Sequence, residues 1–528
     1  MIVFLGSSGG DSEGEAVAVM VTMSYPAGQD RDVERNVERE RLVGFRQRLY
    51  GCFGARADAL FELGDAVLCA GGPVTSLVEL CQEKRFRRGH GALYDGLACG
   101  QLDSVAVGRL LACSWDPVDA GPVKVAIDVS AWPRPDAETS PERCHCYHSC
   151  RCDGARKTIP GWPYSVAAGL SWGASSWTAP LDAMRLGPDD DATIRSVEQV
   201  QRVYDNLNEA GTLAGRPAPL FVFDSGYDLT RISYLAADRH LDVQILGRVR
   251  GDRVYYTCPP PHPAPNPGTS GAGGGPQRAT VGRPARHGRR FKLDAPATWP
   301  APDEQLRGLN RRYGAVTVAA WHGLHQKLAR QAGWAGFTGE LPIVEATLIR
   351  IKVARLPGHG RRMPQDLWMW WTGPAGTVFD LDLLWKAYLR RFDLEHTFRF
   401  VKQEMGWTVP QIQTPQQGDR WTWLILAGYT QLRLAAPLTQ DLRRRWEKPI
   451  PPGALPTPGR VRRSFPTLVR KLPTPARSPK FSRPGPGRPT GTTRPPRTRY
   501  PVGKTQPKVV THRPKQDITQ RGVTTPTG

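Results

Sequence analysis

Leu383-Leu384-Trp385-Lys386-Ala387-Tyr388-Leu389-Arg390-Arg391-Phe392-Asp393-Leu394-Glu395-His396-Thr397-Phe398-Arg399-Phe400-Val401-Lys402 has the composition of a helix. At ~100° per residue, a helix places Tyr388, Arg391, Glu395 and Lys402 within roughly 60° of one another. One face then carries an acid, two cations and a phenol. Taken alone, this is the pattern of a solvated ion-pair face.

Two segments upstream change that reading. Val123-Lys124-Val125-Ala126-Ile127-Asp128 is a β-branched run closing on an acid, and Leu220-Phe221-Val222-Phe223-Asp224-Ser225-Gly226-Tyr227 is a second such run. Apolar strands of this kind are buried, so the acid ending each one stands at the rim of a sheet, where sites sit. If Asp128, Asp224 and Glu395 converge, they offer three oxygen ligands with no His or Cys among them. That hard-ligand set suits Mg²⁺ or Mn²⁺ rather than zinc.

Together these residues resemble the DDE transposases of bacterial insertion sequences, the cut-and-paste group with the Tyr-x2-Arg-x3-Glu-x6-Lys signature. Tyr388, Arg391, Glu395 and Lys402 have that spacing without a gap, Asp128 matches the first acid, and Asp224-Ser225-Gly226-Tyr227 resembles the second-acid motif. The resemblance spans residues 30–445 and is weakest between Asp224 and Glu395. It implies an α/β protein with an RNase H-like mixed sheet core and flanking helices. A β-rich insertion domain would interrupt this core, a helical N-terminal domain precede it and a disordered basic tail follow it. The implied activity is DNA transposition by metal-dependent cleavage and strand transfer. Asp128, Asp224 and Glu395 would be the catalytic metal ligands for two Mg²⁺ or Mn²⁺ ions, with Asp128 bridging. Such a pair, about 3.5–4 Å apart, activates the nucleophile and neutralises charge on the leaving oxygen. Tyr388, Arg391 and Lys402 would grip phosphates of the flanking DNA strand, Arg391 being suited to bidentate contact. The implied partners are double-stranded DNA, as terminal inverted repeats and target, and a second copy of the chain on paired ends. The implied location is the bacterial cytoplasm, at the nucleoid.

Charge agrees with a polyanionic partner: 71 Lys and Arg stand against 49 Asp and Glu in 528 residues. From Lys448 onward there are 18 Lys and Arg and one acid, Asp517, so the tail carries most of the excess and the body is close to balanced. No apolar run approaches the ~18 residues needed to cross a bilayer. Acids rather than basic residues precede the short run Ala16-Val17-Ala18-Val19-Met20, so it is not a signal peptide, and Met20 or Met23 is a candidate start. Ten cysteines in such a chain read as reduced thiols.

Composition divides the chain at 1–29 (disordered or a mis-assigned start), 30–115, 116–250, 251–375, 376–446 and 447–528. Residues 30–115 read as helices, with tight turns at Gly71-Gly72-Pro73 and Gly100-Gln101-Leu102-Asp103. They are either a DNA-end recognition domain or a helical bundle packed on the core. Residues 116–250 alternate strand and helix signals, with a turn-rich stretch from Pro160 to Trp172. Cys258–Arg290 reads as a Pro/Gly/Arg loop, and strands follow at Ala315–Trp321, Leu341–Ala354 and Leu367–Trp371. In the family resembled, an insertion-domain aromatic stacks on a flipped base; Trp321, Trp334, Trp368, Trp370 and Trp371 are candidates, against the ordinary reading of strand tryptophans as core. An apolar helix at Arg420–Ala436 precedes a Pro-rich tail too poor in apolar residues to bury a core. Within it, Arg488 lies in a Gly-Arg-Pro kernel like that of minor-groove AT-hooks.

Cys144-His145-Cys146-Tyr147-His148-Ser149-Cys150-Arg151-Cys152 holds zinc-type ligands but lacks the C-x2-C spacing of common structural sites, which favours a cysteine-rich polar loop without metal. Asp189-Asp190-Asp191 reads as a helix N-cap. Two other readings stay open: an RNase H-like nuclease that cuts without joining, and a silent transposase-derived DNA-binding protein. A glycosidase with paired carboxylates leaves the basic tail unexplained.

Overall fold

The computed structural model describes residues 27–147, 158–172, 176–259, 285–356, 364–451, 454–480, 487, 489–493 and 496–503. The expectations for the chain start, for 260–284 of the Pro/Gly/Arg segment, for His148, Cys150 and Cys152, for Arg488 and for 504–528 lie outside the described residues.

The first elements are the helices α1 (Ala27–Gly51), α2 (Ala57–Cys69), α3 (Leu77–Leu80), α4 (His90–Cys99) and α5 (Ser104–Cys113). There follow β1 (Lys124–Pro133), β2 (Cys144–Tyr147), β3 (Thr158–Leu170), β4 (Thr178–Arg185), α6 (Ala192–Glu209), β5 (Leu220–Phe223), α7 (Leu229–Asp238) and β6 (Gln244–Val249). The next strands are β7 (Val254–Thr257), β8 (Arg290–Lys292), β9 (Glu304–Asn310), β10 (Gly314–His325), β11 (Glu345–Val353) and β12 (Leu367–Thr372). The chain then forms α8 (Leu381–Arg390), α9 (Phe392–Gln403), α10 (Pro415–Ala435) and α11 (Pro458–Val469).

Short polar residues start the helices where the sequence predicts. Asp103 accepts from the amides of Val105 and Ala106, Asp191 from Thr193 and Ile194, and Asp228 from Arg231, satisfying donors that a first turn leaves free. All strands join one mixed sheet in the order β2-β3-β1-β5-β6-β12-β11-β10-β7-β8, with β4 also on β3 and β9 also on β10. β1, β5 and β6 run parallel to one another, and β3 and β4 are antiparallel additions beside β1. This mixed α/β architecture, with helices on both faces, is the one expected.

Three features differ from the sequence reading. First, the strands of residues 251–375 do not form a domain apart from the core. β12 pairs antiparallel with β6, from Trp368 opposite Val249 to Thr372 opposite Ile245, and continues the core sheet outward. Second, Pro160 to Leu170 is strand rather than turn. Pro160 and Pro163 donate nothing, but their carbonyls accept from Arg134 and Leu186, so the prolines sit where only an acceptor is used. Third, the tail includes a packed helix, α11, where Val461, Phe465 and Val469, spaced at i, i+4 and i+8, are fully buried. The buried Arg462 guanidinium also donates to the carbonyls of Val67 and Gly72.

Strand alternation sorts the sheet into two faces. Val125, Ile127, Phe221 and Phe223 point to the face covered by α6 and α7. Leu220, Val222 and Leu246 point to the opposite face, beneath α8. On that second side Ala126 joins a core built from α1, α2, α9, α10 and α11. The N-terminal helices therefore share a core with the sheet.

Candidate active site

Parallel pairing of β1 and β5 ends with Ile127 opposite Phe223. The next residue on each strand is an acid, so register alone sets Asp128 beside Asp224. Parity does the rest. Asp128 lies two residues beyond Ala126 and Asp224 two beyond Val222, which turns both carboxylates to the face carrying α8 and α9.

The helix foreseen over 383–402 is present but broken at Arg391. That residue's amide donates to both Ala387 and Tyr388 carbonyls at 3.2 Å, while its own carbonyl accepts from Leu394 at 3.0 Å, so one turn of tighter, i to i+3 bonding joins α8 to α9. Asp380 caps α8 by accepting from Leu383. The break faces the strand-end acids, and the Arg391 guanidinium reaches all three carboxylates. Nη1 donates to Asp128 Oδ2 at 3.0 Å and Nη2 to Glu395 Oε1 at 3.1 Å, with Asp224 Oδ1 3.8 Å from Nη2. Tyr388 Oη donates to Asp224 Oδ1 at 3.4 Å. The Arg391 side chain is 8% exposed, whereas those of Asp128, Asp224 and Glu395 are 21%, 38% and 39% exposed. The acids open to solvent over a buried cation.

Burial pushes the Asp128 carboxyl up to about 6; Arg391 opposes the rise, and the charges of Asp224 and Glu395 add to it. Burial alone would lower Arg391, but the surrounding acids, Asp128 foremost, hold its pKa above the ordinary value. Burial lifts Tyr388 to about 12, so its phenol keeps its proton and stays a donor. Tyr227, from the second-acid motif, lies beneath, its buried hydroxyl without a hydrogen-bond partner; burial, then the Asp128 charge, drive its pKa up.

Of the expected site residues, the structure brings Asp128, Asp224, Glu395, Tyr388 and Arg391 together and leaves Lys402 apart. Lys402 Nζ donates to the Ala131 carbonyl of β1 at 2.9 Å, and burial lowers its pKa. Sharing a helical face does not make it a neighbour of the acids, because eleven residues of rise, roughly 16 Å, separate it from Arg391. The tryptophan candidates are also placed elsewhere: Trp321, Trp334, Trp368 and Trp370 are buried. Trp371 donates to Gln244 and packs on Phe379. Phe392, three residues before Glu395, is an exposed aromatic, 47% exposed and edge-on to His396. Its signal was a large apolar side chain where the helix pattern calls for a polar one.

Among the described residues no three His, Cys, Asp or Glu side chains already close on one point as a metal site would. The three acids nevertheless fit a hard divalent cation. They are all oxygen donors, and one positive group already bridges them. Cys144 and Cys146 point into the core from β2, with burial raising their thiols to about 11 and about 12. No helix among the described residues is long and apolar enough to cross a membrane.

A family described as "DDE superfamily endonuclease" matches residues 48–327, a span that holds Asp128 and Asp224 and ends before Glu395. Among solved structures, the chain is similar to piggyBac transposase in the cryo-EM structure of its synaptic complex with hairpin DNA. The identity is 9% and the TM-score 0.36, over 80% of this chain and 75% of that one. No curated protein matches the chain.

Proposed function

This chain belongs to the DDE superfamily endonucleases, and from that premise we propose that it is a transposase: it cuts double-stranded DNA at the ends of an insertion element and joins those ends to a target. The observation that carries the reading is the meeting of Asp128, Asp224 and Glu395 at one guanidinium on the rim of a mixed sheet. Acids brought from two strands and a helix over 260 residues of chain are costly to gather unless they hold a cation.

In this reading Asp128, Asp224 and Glu395 hold Mg²⁺ or Mn²⁺, two ions per site. Bound there, the ions supply Lewis-acid activation of the nucleophile and charge neutralisation at the scissile phosphate. The remaining work falls to the chain. Tyr388 keeps Asp224 oriented through its protonated phenol. Arg391 supplies a planar donor set matched to phosphate oxygens. Lys402 ties α9 to β1 through Ala131, which fixes the helix bearing Glu395 against the strand bearing Asp128. Working on paired element ends calls for at least two copies of the chain.

The test is cleavage of a labelled duplex carrying the element end and its flank, in Mg²⁺ or Mn²⁺, by the intact protein and by Glu395→Gln. Metal-dependent nicking that the substitution abolishes while DNA binding persists is the expected result. Binding without cleavage by either protein would replace this reading with a silent DNA-binding protein, and nicking without joined product would leave the nuclease.

A further inference from the structure

We propose that Arg391 is a positioning residue that competes with the divalent cation for the same carboxylate oxygens, and that DNA phosphate, by drawing the guanidinium off, opens the acids to the cation. Assembly is then ordered, DNA first and metal second. The inference rests on the reading of Asp128, Asp224 and Glu395 as the cation site.

The geometry leaves little room for both occupants. Nη1 is committed to Asp128, and Nη2 to Glu395 with Asp224 close behind. Each Nη keeps a second N–H, and Nε is buried and unpartnered. A phosphate gripped by the same guanidinium sets its negative charge beside the three carboxylates, and that repulsion favours release of at least one acid by Arg391. A divalent ion taking an oxygen from each acid would sit where the guanidinium now lies, and two like charges do not share that space at low dielectric. Three carboxylates against one guanidinium leave two negative charges; with the guanidinium withdrawn all three are unmatched, and attraction for a divalent ion rises. The exposure gradient supplies the route. The acids face solvent and Arg391 lies behind them at the junction of α8 and α9. Tyr388 stays on Asp224 throughout, so one acid keeps its orientation during the exchange.

The test is Mn²⁺ binding to the full chain, followed by the electron paramagnetic resonance signal of free Mn²⁺, with and without a duplex carrying the element end. Asp128→Asn with the same duplex is the correction for Mn²⁺ held by DNA itself. Duplex should tighten Mn²⁺ binding to the wild type by about tenfold or more, a coupling of ordinary size between linked sites. Arg391→Gln should bind Mn²⁺ tightly without duplex and gain less than about twofold from it. Arg391→Lys, which keeps the charge but not the fork, should fall between them. Equal wild-type affinity with and without duplex, together with no tightening in Arg391→Gln, overturns the exchange while leaving the acids as the cation site. Equal Mn²⁺ binding by Asp128→Asn and the wild type overturns the reading of the site itself. If Arg391→Gln does not fold, as judged by circular dichroism, the wild-type comparison decides alone.

Discussion

Asp128 holds the least comfortable charge in the site, and its discomfort has a pH signature. Burial lifts its carboxyl to about 6 from an ordinary 3.8. An acid with a higher pKa folded than unfolded binds its proton more tightly in the folded state, so folding stability falls as pH rises between those values. The contribution is fully present below about 4 and lost by about 6, with a size on the order of 3 kcal/mol. Urea unfolding of the wild type and of Asp128→Asn at several pH values isolates it: the wild type should lose ground to the variant across that window and run parallel to it above. A constant difference would mean that Asp128 is not strained by burial. Cation binding has the opposite sign, because it needs the ionised carboxylate. Metal-dependent cleavage should therefore fade as pH drops through about 6.

At the scale of single elements, α11 is where the polypeptide says least and the packing most. The segment is set in Pro- and Arg-rich sequence, yet Val461, Phe465 and Val469 are fully buried against a core shared with α2 and α10. Phe465→Ala should cost about 3–5 kcal/mol, the usual range for emptying a large aromatic from a closed core. Equilibrium unfolding in urea measures it, and a change within about 0.5 kcal/mol, as for an ordinary surface site, would show that α11 is not docked. The reason α11 was hidden also applies to β3. Proline signals turns or disorder because it lacks an N–H, but a position that needs only its carbonyl, or lies at the start of a helix like Pro458, tolerates it. β9 was hidden differently: its side chains are polar and mostly exposed, and its strand character comes from pairing with β10. The acids were legible because each stands at the end of an apolar run or within a fixed spacing. The bond of Lys402 to Ala131 was not legible, because spacing gives a residue's helical face but not what it meets about 16 Å further along the axis.

At the scale of the molecule, the question is whether the N-terminal helices are a separable unit. Arg46 of α1 donates to both carboxylate oxygens of Asp65 on α2, at 2.7 and 2.8 Å, and to Gln431 of α10 at 2.6 Å. The pair is sealed from water, with side chains 1% and 4% exposed. A buried charge of this kind is tolerable only while all its partners are in place, so the network binds two N-terminal helices to α10, the long helix that follows α9. Sequence composition could not reveal this, because Arg46 and Asp65 read as ordinary polar positions in charged helices until their partner 385 residues away is known. Arg46→Ala leaves Asp65 buried without its cation and should destabilise the protein by about 3–5 kcal/mol. The loss should be global. Trp132 and Trp162 belong to the same core as Leu42, Phe45 and Leu60, so tryptophan fluorescence and amide exchange in α1 and α2 should report one shared transition, moved together by the substitution. If instead α1 and α2 exchange freely while the fluorescence transition holds its place, the helices form an independent module, and the DNA-end recognition role that the sequence left open for residues 30–115 becomes the better account of them.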